Sequence, residues 1–169
     1  MTDDLGKTLK NLETRYRTSD TMAIAGAWVA LAKRERFVER VTHKALAVVI
    51  ERVAQGNRVE YLVKTAGKRA KQIGRFWCQA PMGGRVQVTN AKVDDGEAGG
   101  KDWRRQGIGS TVYALIEADV RGAGGDGIEP HWGSMSEDAI GFWEARRPDM
   151  KGRIRTFNGL GVLASGLFD

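Results

Sequence analysis

The stretch "DWRRQGIGSTVYALIEADVRG", residues 102–122, constrains what this chain can fold into more than any other. Two arginines, a glutamine and two closely spaced glycines stand directly ahead of Ile108, Val112, Leu115, Ile116 and Val120. That apolar spacing follows one face of a helix, which puts Gly107 and Gly109 at its first turn. The first N–H groups of a helix have no internal acceptors and sit at the positive end of its dipole. Glycines there carry no Cβ, so an anionic oxygen can approach the backbone closely, and Arg104 and Arg105 add charge. Strand, basic glycine turn and helix together make a phosphate cradle. The same glycines would also serve a basic loop that merely turns. No Gly-Lys-Ser/Thr follows, which excludes the Walker loop, and the third glycine of the dinucleotide fingerprint is absent.

The strand ahead of the turn is "RVQVTNAKVDD", where Val86 and Val88 alternate but the pattern resumes at Val93. That odd step needs a slip of one residue, which a β-bulge supplies. "GEAGGK" then forms a polar, glycine-rich loop. Upstream, "RVEYLVKT" alternates Val59, Tyr61 and Val63 against charged neighbours and leads through "AGK" to "QIGRFWCQA", which predicts a hairpin. Residues from about Asp20 to Gln55 place Phe37, Val41, Ala45, Val48, Val49 and Val53 at helical spacing with Gly56-Asn57 as the stop, predicting one or two amphipathic helices. Downstream, "GIEPHW" reads as a short strand. "SMSEDAIGFWEARRP" reads as a helix with Ser134 and Glu137 in capping-box spacing, ended by Pro148. "RIRTFNGLGVLASGLFD" reads as a last strand pair.

Composition narrows the classes further. With 169 residues and 41% hydrophobic content the chain is expected to build one domain over 1–169, with a helical segment at 1–56 and the sheet in 57–169. Cys78 is the single cysteine and His43 and His131 are the two histidines, which excludes a disulfide framework and leaves a zinc site short of ligands. No metal is expected. No apolar run approaches the roughly 20 residues of a membrane span, and "MTDDLGKTLKNLE" lacks the layout of a signal peptide. A cytoplasmic location without membrane contact is the expectation. A net charge of +6 favours an anionic partner, whether nucleic acid, an acidic protein or a phosphate-bearing cofactor.

Arg104-Arg105-Gln106-Gly107-Ile108-Gly109 resembles the Arg/Gln-x-x-Gly-x-Gly/Ala acetyl-CoA-binding motif of the GNAT superfamily of N-acetyltransferases. Ala139-Ile140-Gly141-Phe142-Trp143-Glu144 is similar to that family's Ala-x-x-Phe-Tyr-Glu helix. The likeness covers residues 85–148, and the hairpin by pattern. It implies an α/β fold with a central mixed, mostly antiparallel sheet flanked by helices, and acetyl-CoA or another acyl-CoA as cosubstrate. It further implies that Arg104, Arg105, Gln106, Gly107, Ile108, Gly109 and Ser110 surround the CoA pyrophosphate. Val93, on the bulged strand, and Ser136, where the family often has asparagine, would meet the pantetheine arm. The acyl group would enter between this strand and the next, and Pro130 would help the two diverge. Trp143 stands where the family has the tyrosine that protonates the leaving thiolate, and indole has no titratable proton in the useful range. "EAGGKD" also lengthens the link from strand to glycine turn.

Acyl transfer needs an amine to lose a proton and a thiolate to gain one. Asp94 and Asp95 end the strand nearest the expected splay and either would serve as base, or they simply end a strand in solvent. His131 has an ordinary pKa near 6.5, suited to proton transfer. Ser134 would donate to the thiolate, although capping already explains it. Cys78 reads as a small buried apolar residue. Lys64, Lys68, Arg69, Lys71 and Arg75 in the hairpin would grip nucleic acid or an acidic protein, or blunt a sheet edge. Two functions therefore stay open. One is an acyl-CoA-dependent N-acyltransferase acting on an unnamed amine. The other is a non-catalytic binding or assembly protein of the same fold, such as a phage or mobile-element component contacting nucleic acid or a host protein. The apolar stripe of the N-terminal helices would cover the sheet or a second copy, so a homodimer is also open.

Overall fold

Helix α1 (Thr2–Arg34) is the longest element of the computed structural model, which describes residues 2–97, 99–130 and 137–146. Ile24, Trp28 and Ala32, spaced by four, form its inward stripe, with Trp28 and Ala32 fully enclosed. Lys33 and Arg34 in its last turn complement the negative end of the helix dipole.

Residues 37–55 are not helical, and the expected N-terminal helical segment stops at Arg34. They form β1 (Phe37–Val41) and β2 (Ala47–Gln55), paired antiparallel. The intervening turn is closed by Ala45 N–H to Thr42 C=O (2.9 Å) and Thr42 N–H to Leu46 C=O (2.9 Å), with Ala45 at φ 62°. The fourfold apolar spacing that suggested a helix comes mainly from β-branched valines. Branching at Cβ disfavours helix and suits a pleated strand. Pairing with β3 then buries Val48 and Ile50 on one side of β2.

β3 (Arg58–Thr65) and β4 (Gln72–Met82) form the expected hairpin, and β5 (Arg85–Val93) pairs antiparallel with β4. Trp77 faces Asn90 while Cys78 faces Val88, so Thr89 is the extra residue of a bulge. Its hydroxyl donates to the Trp77 carbonyl at 3.2 Å. The slip read between Val88 and Val93 is thus located.

Helix α2 (Ile108–Gly122) returns the chain to β6 (Gly127–Pro130), which lies beside β5 at the edge of a six-stranded sheet of order β1-β2-β3-β4-β5-β6. Asp126 N–H donates to Gly84 C=O at 2.7 Å, so β5 and β6 start side by side, as a strand–helix–strand crossover requires. Gly125 makes this approach possible: a Cβ there would lie 2.7 Å from both Gly84 O and Val120 Cγ1. The architecture is α/β with a mostly antiparallel sheet flanked by helices. Among the described residues no helix is long and apolar enough to cross a membrane.

Strand alternation gives the sheet two unlike faces. Val48, Ile50, Val59, Tyr61, Val63, Phe76, Cys78, Val86 and Val88 are buried on the face that meets α1 and α2. Removing side chains of this size from water is worth about 1.5–3 kcal/mol each. Within this core lies a polar network. The Arg52 guanidinium donates through Nε and Nη2 to Asp119, both at 2.7 Å, and through Nη1 to the Glu35 carbonyl. Tyr61 Oη donates to Asp119 at 2.9 Å and accepts from Trp28 Nε1 at 2.9 Å. Burial, then the Asp119 charge, raises the Tyr61 pKa. The same two causes push the Cys78 thiol up, which agrees with its reading as an inert core residue.

The sheet with α1 and α2 belongs to one structural unit, Met1–Glu129, and α3 (Glu137–Arg146) to a second, Pro130–Asp169. In α3, Ile140 and Trp143 are buried, and Phe142 stacks edge-on against Trp143 with centroids 5.6 Å apart. The expected capping by Ser134, the stop at Pro148 and the last strand pair lie outside the described residues.

Candidate functional site

The C-terminal end of β5 and the start of α2 are joined through a loop that closes on itself. Asp94 N–H donates to Ile73 C=O at 2.8 Å, which extends the β4–β5 pairing by one residue. Its carbonyl then accepts Trp103 N–H at 2.8 Å, which brings the two ends of the link together. Inside it, Asp94 Oδ1 accepts Gly96 N–H at 3.1 Å and Asp95 Oδ1 accepts Glu97 N–H at 3.0 Å. The lengthened link "EAGGKD" therefore adds little distance between strand and glycine turn.

Asp102 organises the turn itself. Its carboxylate accepts the Arg104 backbone N–H (3.0 Å) and both Nε (3.0 Å) and Nη2 (2.9 Å) of the Arg104 side chain. The guanidinium bonds first, then the backbone N–H, bring the Asp102 pKa down to about 2. Arg105 follows at φ 63°, and Gly107, the N-cap of α2, at φ 82°. An L residue is strained in that left-handed region, which is the backbone reason for glycine at 107.

The N-terminus of α2 has no side-chain cap and no acidic residue in its first turn. Thr111 returns both its N–H (3.2 Å) and its hydroxyl (2.9 Å) to the Gly107 carbonyl. Among the described residues no acceptor meets the N–H groups of Ile108, Gly109 and Ser110. A Cβ at Gly109 would enter open space. Ile108 anchors the turn from below, 2% exposed, while Gln106 is half-buried and Ser110 is exposed. A helix end of this kind can hold an anion.

Two placements were not legible in the sequence. His43, in the β1–β2 turn, lays its imidazole against Gly107: a Cβ on that glycine would come 2.5 Å from Nδ1 and 2.6 Å from Cε1. Reading residues 37–55 as helix removed the signal that could have found it. Arg52 and Asp119, buried as a pair, were missed because nothing local in either segment marks them.

Val93 sits opposite Gly74, and the next residue, Asp94, opens onto a groove of about 420 Å3 that Arg75, Trp77 and Lys92 also line. Of the five hairpin cations, Lys64 pairs with Glu51 at 3.5 Å and Arg75 with Glu60 at 2.7 Å. Lys68, Arg69 and Lys71 are exposed at the hairpin tip. His131, Ser134 and Ser136 lie outside the described residues. Among the described residues no cluster of three or more His, Cys, Asp or Glu side chains could hold a metal ion. No protein-family model, no curated protein and no solved structure matches the chain.

Proposed function

We propose that the chain binds an acyl-CoA, acetyl-CoA in the first instance, at the glycine turn opening α2 and transfers the acyl group to an amine. The observation that carries this reading is the uncapped start of α2, with the N–H groups of Ile108, Gly109 and Ser110 free of acceptors among the described residues and open space over Gly109. These donors fit a pyrophosphate, with Arg105 as the nearby charge. Arg104, already engaged by Asp102, shapes the turn. The cosubstrate would supply the activated thioester. Asp94, on the groove at the end of β5, would hold the amine and take its proton at a carboxylate oxygen as the nitrogen bonds to the acyl carbon, while the carbon–sulfur bond breaks and the departing CoA thiolate takes its proton from water. With the acceptor positioned beside the thioester, the bimolecular step becomes effectively unimolecular.

A melting-temperature titration with acetyl-CoA and desulfo-CoA tests binding. Ligand at 100 times its Kd stabilises by about 2.7 kcal/mol. Gly109→Trp fills the open space and is expected to abolish the shift while keeping the far-UV spectrum. Asp94→Asn is expected to retain binding and lower turnover roughly 10²- to 10⁴-fold.

One observation favours the second reading, binding without transfer. Trp143 is 3% exposed and packed edge-on against Phe142, a structural placement for the residue at the family's tyrosine position. A wild type that binds acetyl-CoA but acylates no amine, peptide or polyamine, itself included, would establish that reading.

A further inference from the structure

The face of the sheet away from α1 and α2 carries an arrangement of charge that the acyl-CoA reading leaves unexplained. Arg75 on β4 stands directly opposite Lys92 on β5, and Trp77 directly opposite Asn90. Like charges at directly opposed positions destabilise a sheet. Glu60 offsets Arg75, taking its Nε at 3.1 Å and Nη2 at 2.7 Å, but Lys92 is exposed and forms no ion pair among the described residues. The same bonds hold the Arg75 guanidinium over the Trp77 ring, 4.6 Å from its centroid. The two make a fixed stacking surface beside an uncompensated cation.

This surface lines the groove of about 420 Å3 that ends at Asp94 and Gln72, a volume within the range of small-ligand sites. Gln72 follows directly on the hairpin tip, where Lys68, Arg69 and Lys71 are exposed and form no ion pair among the described residues. Lys71 leans on the neighbouring loop, its Nζ 2.9 Å from where a Cβ on Gly100 would be. The cations at the tip thus continue those of the groove.

We propose that the groove and the hairpin tip bind single-stranded nucleic acid. A base stacks on the Arg75–Trp77 pair, and Lys92, Lys71, Arg69 and Lys68 meet successive phosphates. Asp94 and Gln72 face the base edge as acceptor and amide. A strand without a complement is the occupant that fits, because a duplex keeps its bases stacked inside and cannot present one to a recessed indole. Charge complementarity supplies the attraction, and the stacking surface selects the single strand. The site lies apart from the glycine turn and shares with the acyl-CoA reading only Asp94 at the end of the groove, so its failure would leave acyl-CoA binding at the turn standing.

Fluorescence anisotropy with a labelled 12-nucleotide oligothymidylate, and with its duplex, tests the proposal. Four phosphate contacts on a single strand predict a log–log salt slope of about −2.8, a loss of roughly 50-fold in affinity between 50 and 200 mM salt. The exposed variant Lys68→Gln/Arg69→Gln/Lys71→Gln/Lys92→Gln is expected to flatten that slope. Trp77→Leu is expected to weaken binding roughly 5- to 150-fold at fixed salt, with the slope kept. Trp77→Phe, a smaller change in the partly buried position, is expected to keep most of the affinity. No binding at 50 mM salt, equal affinity for the duplex, or unchanged affinity in the quadruple or the folded Trp77→Leu variant would overturn the proposal. The acetyl-CoA melting shift, measured in parallel on Lys68→Gln/Arg69→Gln/Lys71→Gln, is expected to be unchanged, so the two readings fail separately.

Discussion

Arg104 commits its guanidinium to Asp102, two residues back, and through that contact shapes the turn that leads to Gly107. The charge that the family resemblance would assign to a cofactor is therefore largely answered within the chain, which under the proposed function would leave the anion to the backbone amides and Arg105. The contact has a pH signature. The Asp102 pKa falls from an ordinary 3.8 to about 2 on folding, so the contact's contribution is complete above 3.8 and is lost as pH falls through about 2. The Asp102 carboxyl resonance is expected to titrate near 2, and Arg104→Ala should return it towards the ordinary value. An ordinary midpoint in the wild type would mean that the pair does not form in solution. Both side chains are well exposed, 58% and 50%, so the effect on global stability should be small.

At the scale of elements, the turn between β1 and β2 and the start of α2 are built against each other. Gly107 is needed twice, for its φ of 82° and because the His43 ring occupies the space a side chain would take. Gly107→Ala is expected to cost about 1–2 kcal/mol from the left-handed backbone alone, plus the displacement of His43. A lower urea midpoint with an unchanged m-value would report it. Adding His43→Ala should recover the steric part and leave the backbone part. If the second substitution recovers nothing, the two elements do not touch as described. β5 shows a comparable division of labour: the bulge at Thr89 shifts the register, so that Val93 and Asp94 arrive opposite Gly74 and Ile73 at the groove.

At the scale of the whole molecule, the unit Met1–Glu129 is tied together by one buried polar network. Trp28 on α1, Arg52 on β2, Tyr61 on β3 and Asp119 on α2 meet although Arg52 and Asp119 are 67 residues apart. Removing one partner of a buried pair leaves the other charge uncompensated, so Asp119→Ala is expected to cost about 3–5 kcal/mol. Replacing both, as Arg52→Met with Asp119→Leu, should recover most of that loss, because two apolar side chains of similar size need no partners. Denaturant unfolding of the wild type and the two variants checks this, and a double variant as unstable as Asp119→Ala would show that the network does more than satisfy itself.

The sequence alone determined the features whose cause is local. The helical period from Ile108 to Val120, the alternation in 58–65, the strand-like run 72–80, and the broken alternation between Val88 and Val93 each have a local cause, and the structure has α2, the hairpin and the bulge there. The glycine turn was legible for the same reason, since φ and close approach are properties of a few consecutive residues. Residues 37–55 misled because valines four apart satisfy a helix stripe and a pair of strands alike, and only β3 on the far side of β2 decides between them. His43 over Gly107, Asp119 on Arg52, and the stacking of Arg75 on Trp77 opposite Lys92 were likewise decided by tertiary structure. Each depends on which strands and helices become neighbours, and that is settled by how the whole chain buries its apolar surface.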